Sequence, residues 1–362
     1  MGGSGRLRIG RLLVAAALGA AAVVAAAAPA AAHTVGGVDA TNYRTEVGSV
    51  NPATEGLTVR SIDNGARLEL TNSGRRDAVV EGYDGEPYLR VGPRGVYENA
   101  RSPARFLNRV LRDPEAPPAS ADPDAPPEWV RVSTGTTARW HDHRAHWMGV
   151  EDPPIVRRAP DAEHLVQRFT IAVRVGDREV QVRGDVRYIP GPSPWPWIAG
   201  AAVLAIGTVI GARTRRAATV LGVVLVVAVV GAVVHAVGAW TGSSAALGKR
   251  GGDALPTLGA VALSVVALVQ LRRRGLRAAA PLLVFAGLFL AIAIGLADVS
   301  TLSKSQLPTD LPDALDRLTV ALALGGGAGV AVGAGLHVAD RASTREGDPP
   351  VTENESHSMM QG

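Results

Sequence analysis

The chain predicts an exported all-β sandwich followed by an α-helical bundle of five transmembrane helices, and three observations carry that expectation. Residues 33–190 are charged throughout, whereas 195–340 is a series of apolar runs separated by short basic loops. The charged part alternates apolar and polar residues with period two between turn signals. A basic start, an apolar stretch and a small-residue site precede both, as in an export signal.

In chain order, residues 1–32 are predicted to be the signal peptide. Arg6, Arg8 and Arg11 lead into the apolar stretch from Leu12 to Ala28, and Ala30 and Ala32 place cleavage before His33. Residues 33–190 then form the sandwich, Ig-like or cupredoxin-like. Within it, Leu57 to Ile62, Asn64-Gly65 and Ala66 to Leu70 predict a hairpin with a type I′ turn, because Asn-Gly accepts positive φ. Phe169, Ile171, Val173 and Val175 alternate with smaller or polar residues, Gly176-Asp177 turns the chain, and Val180, Val182 and Val186 return it. Asp77 to Tyr83, Tyr88 to Val91 and Trp129 to Trp140 read as further strands. About seven short strands need a second layer to bury one face, hence the sandwich. Pro114 to Pro127 reads as an extended surface loop.

Residues 191–197 form a Pro/Trp linker whose tryptophans suit the headgroup region, and residues 197–339 hold the five spans. These are expected at about Trp197 to Ala212, Ala217 to Trp240, Leu255 to Leu271, Ala278 to Ala297, and Leu318 to Val338. With the sandwich outside, the arginine loops at 213–216 and 272–277 fall inside, so the positive-inside rule is obeyed. The polar tail 340–362 is then cytoplasmic and disordered. Gly325, Gly329 and Gly333 lie four residues apart on one helical face and predict close helix packing.

Charge and cysteine exclude several functions. The whole chain carries +4, yet His33 to Pro194 holds 21 arginines against 23 Asp and Glu. The basic excess therefore belongs to the signal and the loops beside the spans, which removes nucleic acid as a partner and leaves membrane lipid. With no cysteine, there is no disulfide, thiolate metal site or cysteine nucleophile. No nucleophile with a base in place is visible, Ser303-Lys304 included, so the protein is not expected to be an enzyme.

The densest chemistry lies in Arg139-Trp140-His141-Asp142-His143-Arg144-Ala145-His146-Trp147-Met148. Three of the eight histidines and two of the six tryptophans fall in these ten residues. Imidazole and thioether are the side chains that bind copper or zinc without cysteine. On a continuing strand His141 and His143 project to one face and Trp140 and Asp142 to the other. His146 and Met148 join after a bend. His33, as a mature N-terminus, adds an amine and an imidazole. The expected metal ligands are thus His33, His141, His143, His146 and Met148, with copper preferred for the soft Met148 and for the tetragonal field an N-terminal histidine supplies. The bland reading has the histidines facing solvent, with Asp142 and Arg144 in surface pairs. Two ionisable groups fall toward the outer ends of spans, His235 and Asp298, and are expected to receive the ion or a coupled proton.

The layout resembles bacterial copper-handling proteins in which a CopC-like exported β-sandwich precedes a CopD-like membrane block. His33 after the signal, the late strand Arg139-Trp140-His141-Asp142-His143, and the junction Pro194 to Trp197 carry the resemblance. It is also similar to uncharacterised membrane proteins of high-GC bacteria. The resemblance implies copper handling or delivery at the cell envelope. The alternative is a structural or interaction module that docks another envelope protein.

Overall fold

The computed structural model describes residues 39–109 and 116–345, with side chains to 340. The expected signal peptide 1–32, His33 and the tail beyond Arg345 lie outside the described residues.

Ten strands form two antiparallel sheets. The larger runs β1-β10-β9-β4-β5-β6-β7 and the smaller β2-β3-β8. Their ranges are β1 Tyr43–Asn51, β2 Leu57–Ile62, β3 Arg67–Asn72, β4 Ala78–Glu81, β5 Pro87–Gly92, β6 Gly95–Asn99, β7 Trp129–Ser133, β8 Thr137–Trp140, β9 His164–Val175 and β10 Arg178–Tyr188. The inner faces share one core: Leu68, Leu70 and Trp140 of the smaller sheet meet Val80, Val91, Ile171 and Val182 of the larger. Each fully buried aliphatic side chain there contributes about 1.5–3 kcal/mol. Period-two alternation puts these residues on one face, so the expected all-β domain forms for the expected reason.

Both predicted hairpins form, with Ile62 facing Arg67 and Val175 facing Arg178. The first differs at its turn. Asp63, Asn64 and Gly65 all take positive φ, making a wider connection than the predicted two-residue turn. The predicted strand from Trp129 to Trp140 is two strands. β7 pairs with β6 in the larger sheet, and β8 crosses to pair with β3 in the smaller.

The helical part begins with α3, after the one-turn α1 Pro103–Leu107 and α2 Pro154–Arg158. It comprises α3 Trp195–Gly211, α4 Ala217–Gly242, the short α5 Leu247–Asp253, α6 Leu255–Phe289 and α7 Asp313–Arg345. A wide π-type turn, Leu290–Leu296, extends α6. Among the described residues, three helical runs are long and apolar enough to cross a membrane: Ala217–Gly242, Leu255–Leu296 and Asp313–Asp340. The expectation of five spans is corrected on that measure. The first expected span, α3, has 17 residues, and the third and fourth lie in one helical run, joined at Gly275 without an intervening loop. The arginines expected to form a loop at 272–277 stay within this run. Its break is a single residue, Gly275, at φ 76° and ψ 174°. The two limbs fold back on each other there, since a Cβ on Gly259 would lie 3.3 Å from the Phe289 ring. The tail also starts later than expected, because α7 continues to Arg345.

The glycine face of α7 packs as predicted. A Cβ on Gly325 would meet the Ala201 carbonyl at 2.3 Å, and one on Gly329 would meet Thr208 at 2.7 Å, so α3 and α7 approach at backbone contact.

The β-domain is seated directly on one end of the helices. Thr41 and Gln306 exchange backbone hydrogen bonds, the Ser305 amide donates to Asn42 Oδ1, and the Ser244 amide donates to Asp63 Oδ1. Asp63 thus spends its positive φ on reaching the helices. The loop between Asp298 and Pro308 forms the floor of the domain, pinned from below by Arg317, which donates to the carbonyls of Thr301 and Lys304.

Candidate functional site

Strand β8 ends at Trp140, and the histidine segment leaves the sheet in a single 3-10 turn, His143–Ala145. Asp142 caps that turn by accepting from the Arg144 amide. Its carboxylate also takes the Trp140 indole N–H at 2.9 Å and the Arg144 guanidinium through Nε and Nη2, each at 2.9 Å. Arg144 continues to the carbonyls of Glu81 and Gly82 and lies over the Tyr83 ring. The expectation that Asp142 and Arg144 make an ordinary surface pair is therefore corrected. The Asp142 carboxylate has no exposed surface and ties the segment to the core.

With the segment so fixed, the three imidazoles come together. The ring of His141 lies 5.1 Å from that of His143 and 5.2 Å from that of His146, edge to face in both cases. His141 is buried. Its Nδ1 is 2.7 Å from the Ala66 carbonyl, which makes Nδ1 the protonated nitrogen and Nε2 the lone-pair nitrogen. Nε2 is buried without a hydrogen-bond partner. Burial lowers the pKa of His141 below its ordinary value, with its neighbours His143 and Arg67 acting in the same direction. A neutral imidazole, oriented by a backbone carbonyl and presenting a bare nitrogen, has the form of a metal-ligating histidine.

The full ligand set expected from the sequence does not assemble. Among the described residues, no group of three or more His, Asp or Glu side chains is arranged to hold a metal ion. The rings of His143 and His146 meet that of His141 by ring contact, as aromatic neighbours do. Met148 is half-buried in the irregular chain after the turn, and His33 lies outside the described residues.

Beside the histidines, a cavity of about 370 Å3 lies between the β-domain and the loop below it. His146, Trp147, Tyr43 and Asp152 line one side, and Ser300 and Lys304 line the other. Trp147 stacks on Tyr43, whose hydroxyl donates to Asp152. Burial, and then that bond to a carboxylate, push the Tyr43 pKa far up, so the phenol stays protonated.

Under this floor is the second cluster. His235 of α4 is buried, with Nδ1 2.7 Å from Asp316 Oδ1 and Nε2 3.5 Å from Asp298 Oδ2. Asp298 is delivered by the wide turn that ends α6, and Asp316 by the first turn of α7. His235 and Asp298, singled out separately in the sequence, are thus brought together. Asp316 was not singled out by sequence reasoning, although Asp316-Arg317 at the head of an apolar helix is the signal that marks it.

Comparison with known proteins finds no matching family model, no matching curated protein and no matching solved structure.

Proposed function

We propose that this is a membrane-anchored, extracytoplasmic metal-binding protein that handles or delivers copper at the cell envelope. The observation that carries the reading is His141, whose bare Nε2 is buried beside the rings of His143 and His146 while Nδ1 is fixed by Ala66. Holding an ion requires the two flanking rings to turn their nitrogens toward Nε2. Edge-to-face contacts near 5 Å leave that rotation short. Copper is the metal of choice because imidazole nitrogens, with Met148 close in sequence, suit it better than hard cations.

In this reading the ion is cargo, the 370 Å3 cavity is its way out, and the His235–Asp298–Asp316 cluster beneath handles a coupled proton. The fold-back at Gly275 lets α6 and its extension cross the membrane as two limbs of about 20 residues. In this reading the β-domain lies outside, and the arginines at 213–216 and 272–277 lie inside.

The rival, a β-domain that docks another envelope protein, is favoured by the lack of a ready three-ligand group among the described residues. Copper titration of the full-length protein in detergent separates the two. One copper should bind per chain, and His141→Ala and His146→Ala should each weaken it by roughly tenfold or more, the loss of a ligand being worth over 1.4 kcal/mol. Unchanged stoichiometry and affinity in both variants would leave the docking module as the function.

A further inference from the structure

A second site, unrelated to the histidines, is built at the far end of the larger sheet. Five arginines from three neighbouring turns line one groove: Arg75 and Arg76 between β3 and β4, Arg90 and Arg94 around the β5–β6 turn, and Arg174 at the end of β9. The groove encloses about 650 Å3. Its acidic wall is Asp77, shared between Arg90 at 3.9 Å and Arg94 at 3.7 Å, while Arg174 reaches Glu81 at 3.6 Å. Two carboxylates against five guanidinium groups leave a strong positive excess, in a domain where acid otherwise outnumbers base.

Two of these arginines are placed by the fold. Arg76 lies across the β9–β10 turn, where a Cβ on Gly176 would come within 3.0 Å of its Cδ and Nη1. Arg90 is held over the rings of Tyr97 and Trp129, 4.2 and 4.8 Å from their centroids. Its Nε is buried with no hydrogen-bond acceptor, since Asp77 at 3.9 Å is beyond bonding reach. A buried guanidinium N–H without an acceptor, in the wall of a positive groove, is a donor waiting for an anion.

We propose that this groove binds phosphate-bearing anions, either free orthophosphate or the phosphate groups of an envelope polymer. Guanidinium forks match phosphate oxygens in pairs, and several converging on one groove suit a tetrahedral anion better than a flat carboxylate. Apart from Val79 and Pro93 the lining residues are arginines, Asp77 and Gly176, so the large apolar side chains that centre a protein interface are missing. The strand register excludes the headgroups of the membrane that the helices cross. Tyr188, next to the helices, pairs with His164, and the groove lies near Val175 and Arg178 at the other end of the same ladder, about 30 Å away.

The test is titration of the full-length protein in detergent with orthophosphate and with inorganic polyphosphate. Arg75→Ala with Arg76→Ala should weaken binding by roughly tenfold, the loss expected for one or two charge-assisted bonds. Arg158→Ala with Arg168→Ala removes the same charge outside the groove and should leave binding within about twofold. Saturable binding of both anions assigns free phosphate, and binding of polyphosphate alone assigns the polymer. Equal losses in the two double variants, or no saturable binding of either anion, overturn the proposal.

Discussion

His141 in the β-domain and His235 in the helices are both buried imidazoles approached at Nδ1 by an oxygen 2.7 Å away, and the oxygen differs. For His141 it is the neutral carbonyl of Ala66, and Nε2 is left bare. For His235 it is the carboxylate of Asp316, and a second carboxylate, Asp298, stands 3.5 Å from Nε2. A neutral acceptor fixes the tautomer and leaves a lone pair on the opposite nitrogen, which is what a metal needs. With a carboxylate at each ring nitrogen, His235 leaves neither nitrogen open to a further ligand. The same side chain thus presents a bare nitrogen in one region and is flanked by carboxylates at both nitrogens in the other.

The contrast breaks most sharply at Asp142, which orients the histidine segment as Asp316 orients His235. Asp142→Ala should cost about 3 kcal/mol in unfolding free energy, because it strands the partly buried Arg144 guanidinium and the Trp140 indole. Denaturant unfolding of the full-length protein measures it. A loss below about 1 kcal/mol would show that the segment is held by its ring contacts alone.

Next in size is Asp316→Asn, which keeps an acceptor but removes the charge facing His235. The expected loss is about 1.5–2 kcal/mol, the difference between a charged and a neutral buried hydrogen bond, read as a lowered thermal midpoint in detergent. An unchanged midpoint would mean that the Asp316 charge contributes nothing at His235, erasing the difference between the two regions.

The smallest effect sharpens the comparison through pH. Burial puts the folded pKa of His141 below the ordinary 6.5 of the unfolded chain. Between those two values the unfolded chain takes up a proton that the folded one refuses. The stability His141 contributes is therefore complete above about pH 6.5 and is lost as pH falls toward the folded value. Unfolding free energies from pH 7.5 down to 5 should show this decline in the natural protein and a shallower one in His141→Asn. Equal slopes would place His141 in contact with water.

Residue pattern alone specified much of this protein. Alternation in Phe169 to Val175 and Val180 to Val186 gave a hairpin because period two is a backbone property, and the four-residue glycine spacing in α7 gave a packing face because 3.6 residues make a turn. The apolar runs gave membrane-like helices because hydropathy is summed locally. The clustering of His141, His143 and His146 was also legible, and His235 and Asp298 stood out singly as ionisable groups near the ends of apolar runs.

Tertiary structure decided what those groups became. It split Trp129 to Trp140 between two sheets, because each half pairs with strands distant in sequence. It carried Arg272 to Arg274 through a helical run broken at Gly275, and so left three long apolar runs in place of five separate helices. It buried Asp142 under Trp140 and Arg144, brought Asp316 to His235, and gathered five arginines from three turns into one groove. Asp316 has a local mark at the head of its helix, but its partner does not follow from it, and the same holds for the other pairings. Burial and charge pairing depend on which distant residues share a layer, and that is set only when the sheets and helices close on one another.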